Sequence, residues 1–239
     1  MMDGIIDFHS HILPGIDDGS QTVEESIALL QEEARQGVTH VIATPHFYPQ
    51  HDTPERFLKR REEAEVLLRE EMSKHPGLPK LSVGAEVYFF NGISDSEAIL
   101  PLTIDKKRCI LIEMPNMPWT GSMYRELEGL YEKQGLLPVI AHVDRYLGRF
   151  RTYGIPQQLA ELPVLVQANA KFFLSSSTSA RALRMLKNGQ IHLLGSDCHN
   201  LTSRSPNLMK AVALIEERLG KDAVNTICHW QKRALLDKR

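Results

Sequence analysis

Short apolar runs recur along the chain, separated by stretches whose apolar positions are spaced for helices. Seven runs predict strands: GIIDFH (4–9), VTHVIATP (38–45), LSVGAEVY (81–88), CILIEM (109–114), LPVIAH (137–142), PVLVQAN (163–169) and IHLLGSD (191–197). Most are nearly continuous in β-branched and apolar residues, as in strands buried on both faces of a parallel sheet. Between them, the stretch 20–37 opens with Ser20 as cap, carries Glu in its first turns and ends on Gly37. The stretch 53–75 has Thr53 as cap, Pro54 at the first helical position and a heavily charged outer face. The stretches 122–135 and 178–189 repeat the pattern and close on Gly, and two more helices, 205–220 and 221–238, end the chain. Seven strands alternating with helices predict a βα-barrel with one unit fewer than the usual eight; an open doubly wound sheet is the alternative. No low-complexity linker or composition break divides residues 1–239, which predicts one domain.

Composition changes this picture little. Apolar content is 42% and charged content 24%, ordinary for a globular protein, and a net charge of −2 gives no global field for nucleic acid or an anionic membrane. No apolar run approaches the roughly 20 residues that cross a bilayer, so no membrane insertion is expected. The start, MMDGIIDFHSHI, lacks a basic n-region and does not read as a signal peptide. Three widely spaced cysteines, Cys109, Cys198 and Cys228, form no disulfide framework and suit a reducing cytoplasm.

The polar residues change it more. In βα-barrels, function sits at the C-terminal ends of the strands. Those ends carry Asp7, His9 and His11, with Asp17 and Asp18 in the following loop, then His46, Glu86, Glu113, His142, Gln167 with Asn169, and Asp197 with His199. Five of the ten histidines fall there. A lone imidazole or carboxylate at a strand end is usually just a hydrogen-bonded polar residue. Many converging in one barrel mouth would repel or stay unsatisfied without a cation. His9 and His11, two apart on a strand, share a face and can chelate one ion. His40 and His192 sit at strand starts, His75 and His229 on helices, and His51 in a loop; all five read as structural or solvated.

The stretches DFHSHILPGIDDGS, IATPHF, GAEVYF, LIEMP, IAHVDRY, QANA and SDCHN come in one order over nearly the whole chain. Together they resemble the PHP (polymerase and histidinol phosphatase) superfamily, and within it the CpsB/CapC group of bacterial manganese-dependent protein-tyrosine phosphatases. The resemblance implies a distorted seven-stranded (β/α)7 TIM-like barrel with three divalent metal ions. Manganese leads as the metal, with iron or zinc also suited to the mixed ligand set. The implied ligands are His9, His11, Asp18, His46, Glu86, Glu113, His142, Asp197 and His199. Glu86 would bridge two ions, Asp18 is preferred to Asp17, and Asp7 would orient a histidine from behind. Arg145 and Arg204 match arginines that bind the substrate phosphate. The group commonly has Pro-Glu at the place of Val143-Asp144, and no cysteine at 198. By analogy the target is a phosphotyrosine protein, a bacterial tyrosine kinase controlling capsule or exopolysaccharide synthesis.

The expected chemistry is attack on phosphorus by a metal-bound hydroxide, with the two guanidiniums on the equatorial oxygens. The rivals are another PHP phosphatase such as histidinol-phosphate phosphatase, a metal-dependent amidohydrolase and a non-catalytic metal-binding regulatory domain. An amidohydrolase would want a bridging Lys or other carboxylate at mid-barrel and a lone terminal Asp. GSDCHNLTSRS (195–205) also carries the Cys-x5-Arg spacing of cysteine-dependent phosphatases. Its loop has no Gly between Cys198 and Arg204, and Asp197 disfavours a thiolate beside it.

Overall fold

The protein is described by a computed structural model over residues 4–148 and 154–236. In chain order its elements begin with β1 (Ile6–Ser10), α1 (Val23–Gln36), β2 (His40–Ala43), β3 (His46–Phe47), α2 (Pro54–Met72), β4 (Lys80–Val83) and β5 (Glu86–Tyr88). Next come β6 (Cys109–Glu113), α3 (Gly121–Gln134), β7 (Leu137–Ile140), α4 (Ile155–Ala160), β8 (Leu165–Asn169) and α5 (Ala170–Leu174). The last are α6 (Ser179–Lys187), β9 (Leu193–Gly195), α7 (Leu208–Leu219) and α8 (Lys221–Leu235). All strand pairs are parallel. They form a sheet ordered β1-β2-β4 and another ordered β3-β5-β6-β7-β8-β9, a mixed α/β fold with a parallel half-barrel.

Among the described residues nine strands stand where seven are expected, because two of the predicted runs are broken. Thr44-Pro45 separates β2 from β3, and Pro45 has no N–H to give the ladder, although its carbonyl still accepts from Glu86 N at 3.0 Å. Gly84-Ala85 separates β4 from β5. A Cβ at Gly84 would lie 2.9 Å from the Ile104 side chain, so glycine allows that close approach. At the far edge, Ser10 bridges Cys198 in parallel; His11 N donates to the Cys198 carbonyl at 2.9 Å and Asp197 N to the His9 carbonyl at 2.8 Å. The first strand is thereby tied to the chain just after β9.

The helices follow their apolar stripes. α1 buries Ser26, Ile27, Leu29, Leu30 and Glu33, a helical spacing with one carboxyl in it. Its cap is Thr22, not the expected Ser20: the Thr22 hydroxyl accepts from Glu25 N at 3.2 Å. The Ser20 hydroxyl instead donates to the Thr22 carbonyl at 2.9 Å. Thr53 and Pro54 start α2 as their types predict. α6 ends at Lys187 with Asn188 as its cap, one residue short of the expected Gly189, and the expected last helix reaches 235, residues 237–239 lying outside the described part. The short helices α4 and α5 and the 3-10 turns between 93 and 106 carry no clear periodic signal in the sequence.

At the strand starts, polar residues serve the scaffold. His40 Nε2 lies 2.7 Å from Ser82 Oγ, and Val166 N donates to His192 Nδ1 at 3.0 Å. From α8, the buried Gln231 takes the Ile6 N–H on its Oε1 at 3.2 Å and gives its Nε2–H to the Ile6 carbonyl at 2.7 Å.

Candidate metal centre

At the opposite ends of the strands the imidazoles collect. Ring centroids are 5.1 Å apart for His9 and His11, 5.5 Å for His9 and His142, 4.4 Å for His11 and His46, and 3.9 Å for His11 and His199. His9, His11, His142 and His199 are buried, and His46 has little exposure. Two residues at this rim, His142 and Asp197, hold left-handed backbone with φ of 32° and 55°. Such angles cost a non-glycine residue about 1–3 kcal/mol, and the surroundings hold them in place. His142 N donates to Gln167 Oε1 at 2.6 Å, and Asp197 N to the His9 carbonyl at 2.8 Å.

Hydrogen bonds pin the tautomers of three rings. His11 Nδ1 lies 2.7 Å from Asp17 Oδ2, which can only accept, so Nδ1 carries the proton. His9 Nδ1 faces Gln167 Oε1 at 3.4 Å, and His199 Nδ1 faces the Asp197 carbonyl at 3.0 Å. In neutral form each ring therefore turns a bare Nε2 lone pair inward. The His9 and His11 Nε2 atoms stand 3.0 Å apart, two lone pairs face to face, and His199 Nε2 is buried with no hydrogen-bond partner.

The carboxylates complete the donor set. Glu86 Oε1 lies 2.6 Å from His142 Nε2. Its Oε2 lies 3.2 Å from His9 Nε2, 3.4 Å from His11 Nε2 and 2.9 Å from His46 Nδ1, yet accepts no hydrogen bond in proper geometry. Glu113 Oε2 is likewise buried without a partner, while Oε1 lies 3.6 Å from His142 Nε2. Burial opposes ionisation of Glu86, but positive charge on His9 and His142 holds it well below the usual range. Asp18 Oδ1 lies 3.5 Å from His46 Nε2 and 3.3 Å from His199 Nε2. Asp17 is turned away from these atoms. It accepts from His11, from Gly19 N at 2.9 Å and from His46 N at 3.0 Å. Ligand atoms lie within 4.8 Å of one another in His11-Asp18-His46-His199, in His9-His11-Glu86 and in His46-Glu86-Glu113. Inward lone pairs, orphaned buried carboxylate oxygens and this spacing fit divalent cations.

Two guanidiniums close the rim. Arg145 Nη2 donates to Asp197 Oδ2 at 2.6 Å, and Arg204 Nη2 to Asp197 Oδ1 at 2.8 Å. Arg145 also reaches Glu113 Oε1 at 3.4 Å, and Arg204 Nη1 lies 3.5 Å from Asp18 Oδ2. All nine candidate ligands and both arginines are thus brought to one mouth.

Asp7 does not meet an imidazole as expected. It accepts from His9 N at 3.2 Å and from Ser196 N at 2.8 Å, while Gln167 takes the His9 ring. Behind it, Asp7, Glu33 and Cys198 form a fully buried group with polar atoms within 4.8 Å of one another. Burial and the Asp7 charge push the Glu33 carboxyl up to about 10, so the pair holds a proton. Cys198 Sγ points at Glu33 Oε1, 4.0 Å away. Burial, then the charges of Glu33 and Asp7, push its thiol well above the ordinary value, which removes it as a nucleophile.

Residues 5–237 match a family described as capsular polysaccharide synthesis, CpsB/CapC. The chain belongs to the CpsB/CapC family. Tyrosine-protein phosphatase CpsB of Streptococcus pneumoniae is 30% identical over 250 residues, covering 98% of this chain and 99% of that protein. Tyrosine-protein phosphatase YwqE of Bacillus subtilis (strain 168) is 27% identical over 234 residues, covering 91% and 86%. Crystal structures of YwqE and CpsB, described as unique metal-dependent tyrosine phosphatases, share the fold: TM-score 0.83, 24% identity, and coverage of 98% of this chain and 94% of that chain.

Within this CpsB/CapC site, sequence reasoning gives no role to several residues. Gln167 holds His9 and the His142 backbone, and Asn169 Nδ2 donates to Asp197 Oδ2 at 2.8 Å. Both stand at the end of β8 in the every-second-residue spacing that puts side chains on one face, a readable signal. Tyr146 OH accepts from Met114 N at 2.9 Å beside His142, and nothing in the sequence points to it. His51, read as a solvated loop residue, is exposed and lines a cavity of about 420 Å³ with Asp18, His46 and Tyr48.

Proposed function

We propose that the chain is a metal-dependent protein-tyrosine phosphatase, one domain over 1–239 folded as a (β/α)7 barrel. The strand pairing and the Ser10–Cys198 bridge support that closure. The observation that carries the activity is the pair of guanidiniums beside inward-facing imidazole lone pairs and unpartnered carboxylate oxygens. His9, His11, Asp18, His46, Glu86, Glu113, His142, Asp197 and His199 would hold three divalent ions, manganese ahead of iron or zinc. Ions bound there would supply Lewis-acid chemistry, lowering the pKa of water and drawing charge from phosphoryl oxygens. Asp17, Gln167 and the Asp197 carbonyl fix the rings of His11, His9 and His199 in the donor tautomer. Arg145 and Arg204 orient the phosphoryl group, their planar forks suiting two oxygens at once. A phenol has a pKa of about 10, so phenolate departs with less acid help than an alkoxide, which suits a rim that shows no obvious dedicated acid among the described residues.

The substrate is a phosphotyrosyl protein in the cytoplasm, and the capsule-related family description favours a bacterial tyrosine kinase. The full-length protein loaded with manganese should hydrolyse a phosphotyrosyl peptide in strong preference to histidinol phosphate. A chelator should abolish turnover, and Cys198→Ala should keep most of it. Preference for histidinol phosphate overturns the substrate, and activity that survives chelation but not Cys198→Ala overturns the metal reading. No turnover of any aryl phosphate revives a regulatory metal-binding domain.

A further inference from the structure

Two clefts open onto the metal centre, and their charges are managed differently. In the cleft beside His46, Arg60 is bonded to Asp52 and to the Ile16 carbonyl, and Arg56 lies 3.6 Å from Asp52 Oδ1. Its cations have local partners. The cleft beside Arg145 and Arg204 encloses about 680 Å³, a volume that suits a peptide segment better than one phosphoryl group. Its two acids are engaged: Asp197 by both arginines and Asn169, and Asp144 by Asn169 N at 3.0 Å. Lys171 lines the same cleft, is exposed, and makes no ion pair with any described residue.

The position of Lys171 is set by short covalent paths. It stands two residues after Asn169, whose side chain is bonded to Asp197, on a helix that follows β8 without a loop. The wall beyond it carries the Ser175 hydroxyl, 2.9 Å from Ser177 Oγ, and the Thr178 hydroxyl, which gives its proton to the Phe172 carbonyl at 2.7 Å. A phosphoryl group on Arg145 and Arg204 leaves the ammonium of Lys171 the unmatched charge of the cleft. A flexible, hydrated point charge of this kind suits an anion whose geometry is not fixed.

We propose that Lys171 is a specificity-determining residue that reads a second anionic group, carboxylate or phosphate, on the same peptide as the scissile phosphotyrosine. The inference rests on the phosphatase reading, which a small aryl phosphate tests separately. The experiment compares manganese-loaded wild type, Lys171→Ala and Lys171→Glu on four substrates. These are a small aryl phosphate, a phosphotyrosyl peptide with neutral flanks, the same peptide with glutamate flanks, and one with two neighbouring phosphotyrosines.

Wild type should show a lower KM for the anionic peptides. Lys171→Glu should raise those KM values by about 3–10-fold with kcat unchanged, and Lys171→Ala by less. The neutral peptide and the aryl phosphate should stay within about twofold, and the difference should fade as salt rises. A response confined to the glutamate or to the doubly phosphorylated peptide supports the inference and names the source of the charge. Unchanged KM for both anionic peptides, or an equal rise for the neutral one, overturns it. No wild-type turnover of aryl phosphate overturns the phosphatase reading itself.

Discussion

Glu33→Gln should stabilise the protein at neutral pH, increasingly so as pH rises. Glu33 sits fully buried with its carboxyl toward Asp7, and burial with the Asp7 charge moves it from 4.5 to about 10. The folded state therefore keeps a proton that the unfolded state releases above 4.5. A raised folded pKa contributes stability that is complete below 4.5 and lost progressively as pH climbs toward 10. From 4.5 to pH 7, at 1.36 kcal/mol per unit, the loss has an upper bound of about 3.4 kcal/mol. Gln is nearly isosteric with the protonated acid, can donate to Asp7 in the same way and releases nothing. Urea unfolding of both proteins at pH 6, 7 and 8, with chelator in each so that cation binding cancels, reads the difference. The variant's advantage should widen from pH 6 to 8, by at most about 2.7 kcal/mol over those two pH units. A gap that stays constant or narrows from pH 6 to 8 refutes the buried shared proton.

Two further substitutions probe the rim. Arg204→Lys keeps the charge but loses the planar fork, and kcat/KM on a phosphotyrosyl peptide should fall by about tenfold or more; an unchanged value removes bidentate phosphate binding as its role. Gln167→Leu removes the group that fixes the His9 ring and the His142 backbone. Manganese affinity, measured by titration calorimetry, should drop by about 10–100-fold, and an unaltered affinity would show that the ring holds its tautomer without help.

What the sequence made legible was the placement of chemistry on periodic elements. The buried parallel strands announce themselves as apolar runs, and the polar residues at or near the end of each run are the ones that reach the rim. The breaks within those runs are less readable. Pro45 and Gly84 each interrupt a ladder whose apolar pattern continues across the break, so periodicity sees one strand and the hydrogen bonds make two. Asp17 and Asp18 are chemically identical neighbours. Only the turn that sends one toward the His11 ring and the other toward His46 and His199 separates their roles. Glu33 carries a readable signal. It lies seven residues after Ser26 on the buried stripe of α1, where a carboxyl requires a partner. Asp7 lies on the other side of the same contact: the family resemblance implies an imidazole partner, but the register shift between Asp7 and Ser10 breaks the alternation that would share its face with His9, and its carboxyl meets Glu33 of α1.

The Gln231 amide that grips both backbone polar atoms of Ile6 joins residues 225 apart in the chain. During synthesis β1 leaves the ribosome 225 residues before the group that answers its opening N–H and carbonyl. The start of β1 therefore stays exposed to solvent, or to a holding chaperone, until α8 has emerged. Assembly of the rim, whose first two histidines lie on and just beyond that strand, is thereby tied to the arrival of α8.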